Sequence, residues 1–314
     1  IKIINKMELN FLGYNLSLKR QIISQFSMNH IQYLNDRNID YISSKPIEYY
    51  REKVNDFFIN PTSENADQKA VNRLDKDGIF IIPNFINELE SETLCNEIEN
   101  VVESYKQKLD DKINFENETA LIQTKPDKIK FKKYFDYANY PKPILNVRTG
   151  ADNGMLDIFN IDNLLRDKLS SSLFSKIRED LFLNEFLKSL PKSLKMQNIN
   201  SYVNSGITKT RGFHVDSYKN QIKFFIYLTD VMELNQGPYT YVKGSHKENP
   251  YRSINSQLSE GIKIKTETPV VNMNDIYPIL AKKGSLVISD QSGFHRGYPQ
   301  SENGFRRTLT INCL

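Results

Sequence analysis

From Met196 onward the chain breaks into short β-branched and aromatic runs separated by turn signals, and this rhythm constrains the fold more than any other feature. Residues 223–230 (KFFIYLTD), 269–271 with their neighbours, 286–289 and 308–312 read as strands, with turns at Gly206, Gly237, Gly244 and Gly293. Many short strands that must close around an interior favour a double-sheet jelly roll over an open parallel sheet. The first 70 residues are different. Leu18, Ile22, Ile23 and Phe26 recur at helical spacing, as do Tyr50, Val54, Phe57 and Phe58, and the polar stretch 60–68 (NPTSENADQ) then reads as a linker. A strand at Ile79–Ile82 follows, and Asn87 with Glu90 forms a capping-box signature for a helix whose apolar stripe is Leu94, Ile98, Val101, Val102 and Tyr105. Residues 162–190 are expected to be helical, with Leu165, Leu169, Leu173, Ile177 and Leu181 on one face. The expected class is therefore α+β with a mainly β core. A helical N-terminal extension over residues 1–70 precedes one domain over 71–314.

Chemistry is concentrated in the β half. If residues 212–216 (GFHVD) are extended, side chains two apart share a face, so His214 and Asp216 point one way while Phe213 and Val215 point the other. A β-branched run, 284–289 (GSLVIS), ends in the turn 290–297 (DQSGFHRG) that carries His295. Two imidazoles and one carboxylate on one face of an octahedral metal leave three positions open, which suits a non-haem Fe(II) centre that admits further ligands. A structural zinc site would be closed. In 305–314 (FRRTLTINCL), alternation sets Arg306, Thr308 and Thr310 on one face, and Arg307, Leu309 and Ile311 on the other. An inward guanidinium calls for an anion and offers a carboxylate two parallel donors.

This ordered set resembles the phytanoyl-CoA dioxygenase family of Fe(II)/2-oxoglutarate oxygenases: H-x-D, a distal His, and an Arg eleven residues beyond it. Residues 236–247 (QGPYTYVKGSHK) are similar to the family's turn between the first and third ligands, and 77–85 (DGIFIIPNF) to its opening strand, so the likeness covers about residues 75–314. The resemblance implies a double-stranded β-helix of cupin-like type with flanking helices. It implies His214, Asp216 and His295 as Fe(II) ligands, and Arg306, assisted by Thr308, holding the distal carboxylate of the cosubstrate 2-oxoglutarate, with O₂ as the second cosubstrate. The implied activity is oxidation of an unactivated C–H bond. Related halogenases have Ala or Gly where Asp216 stands, so halogenation is not expected. His246, in the GSHK turn, is read as a loop-fixing residue, and His30 as incidental.

The substrate is less legible. Asn198, Asn200, Tyr202 and Asn204 share a strand face, and Arg148 or Arg211 is placed to meet an acidic group, or each is a satisfied surface residue. A small polar or carboxylated metabolite fits these side chains better than a long acyl chain. Residues 125–140 (KPDKIKFKKYFDYANY) interleave Lys with aromatics, a pattern shared by single-stranded nucleic-acid grooves, substrate lids and plain solvated loops. Two further readings follow, a nucleic-acid-directed oxygenase and a non-catalytic jelly-roll binding protein. The balance of 42 basic against 38 acidic residues is only mildly basic, so no nucleic-acid partner is expected. Two cysteines, Cys95 and Cys313, neither frame disulfides nor match a zinc spacing, which points to a reducing, cytoplasmic compartment. No apolar run approaches ~18 residues, so no membrane partner is expected, and residues 1–5 (IKIIN) lack the h-region and cleavage site of a signal peptide. The N-terminal extension is open to three roles, dimerisation element, lid or helical brace, and the sequence selects no oligomeric state.

Overall fold

The computed structural model describes residues 28–109, 120–122, 143–148, 150–165, 167–219, 221–262, 264 and 266–314. The periodic positions Leu18 to Phe26 and the basic-aromatic segment 125–140 lie outside the described residues. Two antiparallel sheets form the centre. The larger has eight strands in the order β1-β9-β6-β11-β5-β4-β3-β2, and the smaller has the order β10-β7-β8. Their spans are β1 Ile79–Ile82, β2 Ala120–Ile122, β3 Ile144–Val147, β4 Leu156–Phe159, β5 Met196–Ser205, β6 Ile222–Tyr227, β7 Tyr239–Val242, β8 Ile276–Pro278, β9 Leu286–Asp290, β10 His295–Gly297 and β11 Phe305–Cys313. The jelly-roll expectation holds. Residues 269–271 lie in no strand; the amide of Thr268 instead bonds Phe213 O, and the amide of Val270 bonds the Asn255 side chain.

Alternation along β11 explains how one strand serves two compartments. Leu309 and Ile311 are fully buried in the outer core, among Ile199 and Val203 of β5, Phe224 and Ile226 of β6 and residues of the covering helices. Tyr227 and Phe225 of β6 face the other way, toward Tyr239 and Tyr241 of the small sheet. Each sheet residue thus belongs to a core or to the space between the sheets, and a one-residue slip would exchange the two sets.

The helices are α1 Met28–Ser43, α2 Ile47–Val54, α3 Ala66–Asp77, α4 Glu88–Leu109, α5 Lys168–Glu179, α6 Leu181–Ser189 and α7 Pro250–Ile262. The capping box is present at the start of α4: Asn87 N donates to Glu90 Oε2 (2.7 Å) and Glu90 N to Asn87 Oδ1 (2.8 Å). Leu94, Ile98 and Val102 are its buried stripe. Two expectations change. The expected helix over 162–190 is broken at Asp180, whose carboxylate caps α6 through Leu183 N, so Leu181 is 80% and Leu169 43% exposed rather than on the core face. The expected linker 60–68 runs into α3, which buries Ala66, Ala70 and Leu74 and ends at Gly78, a left-handed residue (φ 79°). Helices α1 and α2 pack on the body: Ile42 and Tyr50 join Phe213, Val215, Val242 and Phe294 in one cluster.

Candidate metal and cosubstrate site

Residues 212–216 are extended but pair only locally. His214 and His295 exchange both backbone hydrogen bonds (N to O, 2.9 Å each way), which fixes their rings on the same side with centroids 4.5 Å apart. Phe213 and Val215 are fully buried on the opposite face. Asp216 is held by its amide on Gln291 O (3.0 Å), and its Oδ1 lies 3.6 Å from His295 Nε2 and 3.9 Å from His214 Nε2. The Nδ1 atoms of His214 and His295 each contact the carbonyl two residues before, Gly212 O and Gly293 O, at 2.9 Å, which leaves both Nε2 atoms facing the carboxylate. One ligating atom from each of the three residues lies within 4.8 Å of the others, and this is the one such group among the described residues.

Electrostatics keep these groups ready for a cation. Burial, His295 and Arg211 hold the His214 imidazole well below its ordinary pKa, favouring the neutral ring that ligates metals. Burial tends to raise the Asp216 carboxyl, but Lys223 and the two imidazoles outweigh it and hold the group well below the usual carboxylate range. Lys223 was not anticipated from sequence. It stands on β6, is only 6% exposed, and donates from Nζ to Asp216 Oδ2 at 2.6 Å.

The three residues line a cavity of about 750 Å³, whose wall also carries Arg306 and Thr308 of β11. Arg306 is buried; it donates to Gly237 O and, at 3.4 Å, to Asn204 Oδ1, and its Nε has no partner among the described residues. Burial lowers its pKa, as expected for a guanidinium without a bound carboxylate. Arg307 points away from the cavity. It bonds Glu99 of α4, Asn204 O (2.6 Å) and Ser205 Oγ (3.0 Å). Two imidazole nitrogens, one carboxylate oxygen and a buried guanidinium with no carboxylate partner among the described residues, all on the same wall, fit an octahedral divalent metal together with a dicarboxylate cosubstrate.

The remaining candidates separate. Tyr202 lines the cavity, as do Asn198 and Asn204, whereas Asn200 is wholly buried behind the wall, its Oδ1 accepting from Asn160 N (3.0 Å) and Asn198 Nδ2 (2.8 Å). Arg148 reaches the cavity, but its guanidinium is taken up by Asp157, through Nε (2.9 Å) and Nη2 (3.0 Å), and by Asp152 (3.1 Å), so it does not await an acidic ligand. Arg211 is likewise engaged by Glu267 (2.6 Å) and Thr266 (2.9 Å). Sequence reasoning missed Arg296, a 3%-exposed wall residue that bonds Thr210 Oγ1 (3.0 Å), lies over the Phe213 ring and has its pKa lowered to about 10, by burial above all. His246 stays outside the group and contacts Asp75 O through Nε2 (2.9 Å). His30 lies exposed on α1.

Among solved structures the chain is similar to EvdO2 from Micromonospora carbonacea var. aurantiaca, with 14% identity, a TM-score of 0.50 and coverage of 80% of this chain and 91% of that one. It is also similar to AviO1 from Streptomyces viridochromogenes Tue57 (12% identity, TM-score 0.49, 80% and 96% coverage) and to HygX from Streptomyces hygroscopicus with nickel and 2-oxoglutarate bound (13%, 0.46, 80% and 87%). At 14% identity the likeness to EvdO2 is one of fold. No curated protein matches the chain by sequence. The family model described as phytanoyl-CoA dioxygenase (PhyH) matches residues 74–308, most of the chain, and so takes in the three ligand candidates, Arg306 and the strands that carry them. The chain belongs to the phytanoyl-CoA dioxygenase family, whose members are Fe(II)- and 2-oxoglutarate-dependent dioxygenases that also consume O₂.

Proposed function

We propose that His214, Asp216 and His295 hold the Fe(II), that Arg306 with Thr308 binds the distal carboxylate of 2-oxoglutarate, and that the enzyme oxidises an unactivated C–H bond of a small polar metabolite in specialised metabolism, by hydroxylation, desaturation or ring closure. The observation that carries this reading is the convergence on a single cavity wall of three ligating atoms and one buried guanidinium whose Nε has no partner among the described residues. When bound, iron with 2-oxoglutarate and O₂ supplies the oxidising power for the C–H bond.

The protein's own contribution is placement. The paired backbone of His214 and His295 fixes both rings before any ligand arrives, so binding costs little further ordering. Tyr239 and Phe225, packed 4.7 Å apart beside the ligand group, form a low-dielectric side to the site and limit water there. A cavity of about 750 Å³ is of small-molecule size. Asn146, Asn198, Tyr202, Gln221 and Asn312 are among its lining residues, and this polar lining favours a hydrogen-bonding substrate over a long apolar chain. With Arg148 and Arg211 already paired to carboxylates, a polar substrate is better supported than one recognised by those two cations.

The test is mass spectrometry of products after incubating the protein with Fe(II), 2-oxoglutarate, O₂ and a panel of amino-acid and natural-product precursors. Hydroxylation adds one oxygen to the product, whereas desaturation and ring closure each remove two hydrogens. Turnover confined to long-chain acyl substrates would refute the substrate reading. A protein that released no succinate with any of the panel, and bound neither Fe(II) nor 2-oxoglutarate, would refute the site assignment.

A further inference from the structure

Asp216 is the one candidate ligand with two chemically equivalent donor atoms, and the structure treats them differently. Oδ1 faces the two imidazoles at 3.6 and 3.9 Å, while Oδ2 accepts from Lys223 Nζ at 2.6 Å. Lys223 is buried at 6% exposure on the cavity face of β6, where it alternates with Phe225 and Tyr227. Its neighbours leave it little choice of partner. The Phe225 ring lies 5.9 Å from Nζ, Tyr202 is nearby, and the other cation close by, Arg148, is bound by Asp157 and Asp152. A buried ammonium needs a carboxylate, and the one carboxylate it reaches among the described residues is a candidate metal ligand.

We infer that Lys223 is a positioning residue: it occupies Asp216 Oδ2 and so confines this carboxylate to one-oxygen ligation, keeping open the metal positions that 2-oxoglutarate needs. This rests on the assignment of His214, Asp216 and His295 above. A free carboxylate beside a divalent cation can turn and chelate through both oxygens, which would take one of the three remaining positions. An ammonium on Oδ2 blocks that rotation. Its charge also draws electron density from the ligand and repels the metal, so the same contact weakens the bare metal complex while favouring the complete one.

The opposed signs give the test. The probe is Co(II), titrated into the metal-free protein and followed by its visible absorption, and then 2-oxoglutarate titrated into the Co(II)-loaded protein. Lys223→Met removes both charge and hydrogen bond at similar length. It should bind Co(II) at least as tightly as the parent, while 2-oxoglutarate binding weakens by about tenfold. Lys223→Gln keeps a donor without the charge and should recover most of the 2-oxoglutarate affinity; Lys223→Arg should resemble the parent. A merely structural lysine would lower both affinities together in Lys223→Met, with a matching fall in Tm. That joint loss overturns the inference, as does a Lys223→Met protein whose 2-oxoglutarate affinity stays within about twofold of the parent. Failure of the underlying site assignment looks different: Asp216→Ala would then leave Co(II) binding unchanged.

Discussion

Two adjacent arginines on β11 offer a sharp discrimination. Among the described residues Arg306, on the cavity wall, has no carboxylate partner and no partner for its Nε, whereas Arg307, at 2% exposure, is engaged by Glu99, Asn204 O and Ser205 Oγ. A charge-assisted, two-donor pair with a carboxylate in a partly desolvated pocket is worth on the order of 2–3 kcal/mol, so Arg306→Ala should raise the apparent constant for 2-oxoglutarate about thirtyfold to hundredfold. Its melting temperature should fall by no more than a few degrees, because Gly237 O and Asn204 Oδ1 lose a donor while a buried cation without a counter-charge is removed. Arg307→Ala acts on stability rather than on the constant. Glu99 is 37% exposed and rehydrates readily, but the side-chain bonds to Asn204 O and Ser205 Oγ are lost inside the protein, which costs about 2 kcal/mol and lowers Tm by on the order of 4 °C. Its 2-oxoglutarate constant should move by less than about threefold. The assay pairs initial rates of succinate release over a 2-oxoglutarate series with a thermal melt of each variant. An Arg307→Ala effect on the constant equal to that of Arg306→Ala would refute the face assignment along β11.

His214→Ala, Asp216→Ala and His295→Ala should each abolish Fe(II)-dependent succinate release; full activity in any one removes that residue from the ligand set. Gly212→Ala would set a methyl 2.3 Å from Asn35 Oδ1 of α1, so it should lose about 1–3 kcal/mol in a thermal melt and bind Fe(II) more weakly, and Asn35→Ala in the same chain should restore both. His246→Ala should retain bound metal in an elemental assay, since its ring contacts Asp75 O rather than the ligand group. Burial depresses the His246 pKa in the folded state, so its contribution to stability is present above the unfolded value, ~6.5, and is lost as pH falls below it. Melts between pH 7.5 and 5.5 should therefore be less pH-dependent in His246→Ala than in the parent, and an equal or steeper dependence would contradict the sign.

What the sequence made legible is what depends on period and local chemistry. The alternation of Phe213, His214, Val215 and Asp216, the split faces of β11 and the Asn87–Glu90 capping box all follow from neighbours a few residues apart. Helix α3 stayed hidden because its buried stripe is Ala66, Ala70 and Leu74, two of them too small to mark a hydrophobic face within a polar segment. The break at Asp180 was missed because Leu181 continues the apolar spacing while standing 80% exposed. Lys223, Arg296 and the bonding of Arg148 to Asp157 were invisible for a different reason. Each is defined by a partner or a wall that only tertiary pairing brings near, such as the β3–β4 and β4–β5 registers that set Asp157 beside Asn146 and Tyr202.

The reciprocal backbone pair between His214 and His295 also bears on the order of assembly. The segments it joins are far apart in the chain, and the second imidazole arrives only once β10 has paired with β7. Closing so long a loop costs entropy that the two hydrogen bonds cannot repay until the sheets have formed. With His214, Asp216 and His295 as the ligands, a half-folded chain would not bring the three together, and metal capture would be a late event in folding. On that assignment, with no binding to the unfolded chain, free Fe(II) at about a hundred times its dissociation constant would stabilise the native state by about 2.7 kcal/mol, which ties the stability of the fold to the supply of the metal.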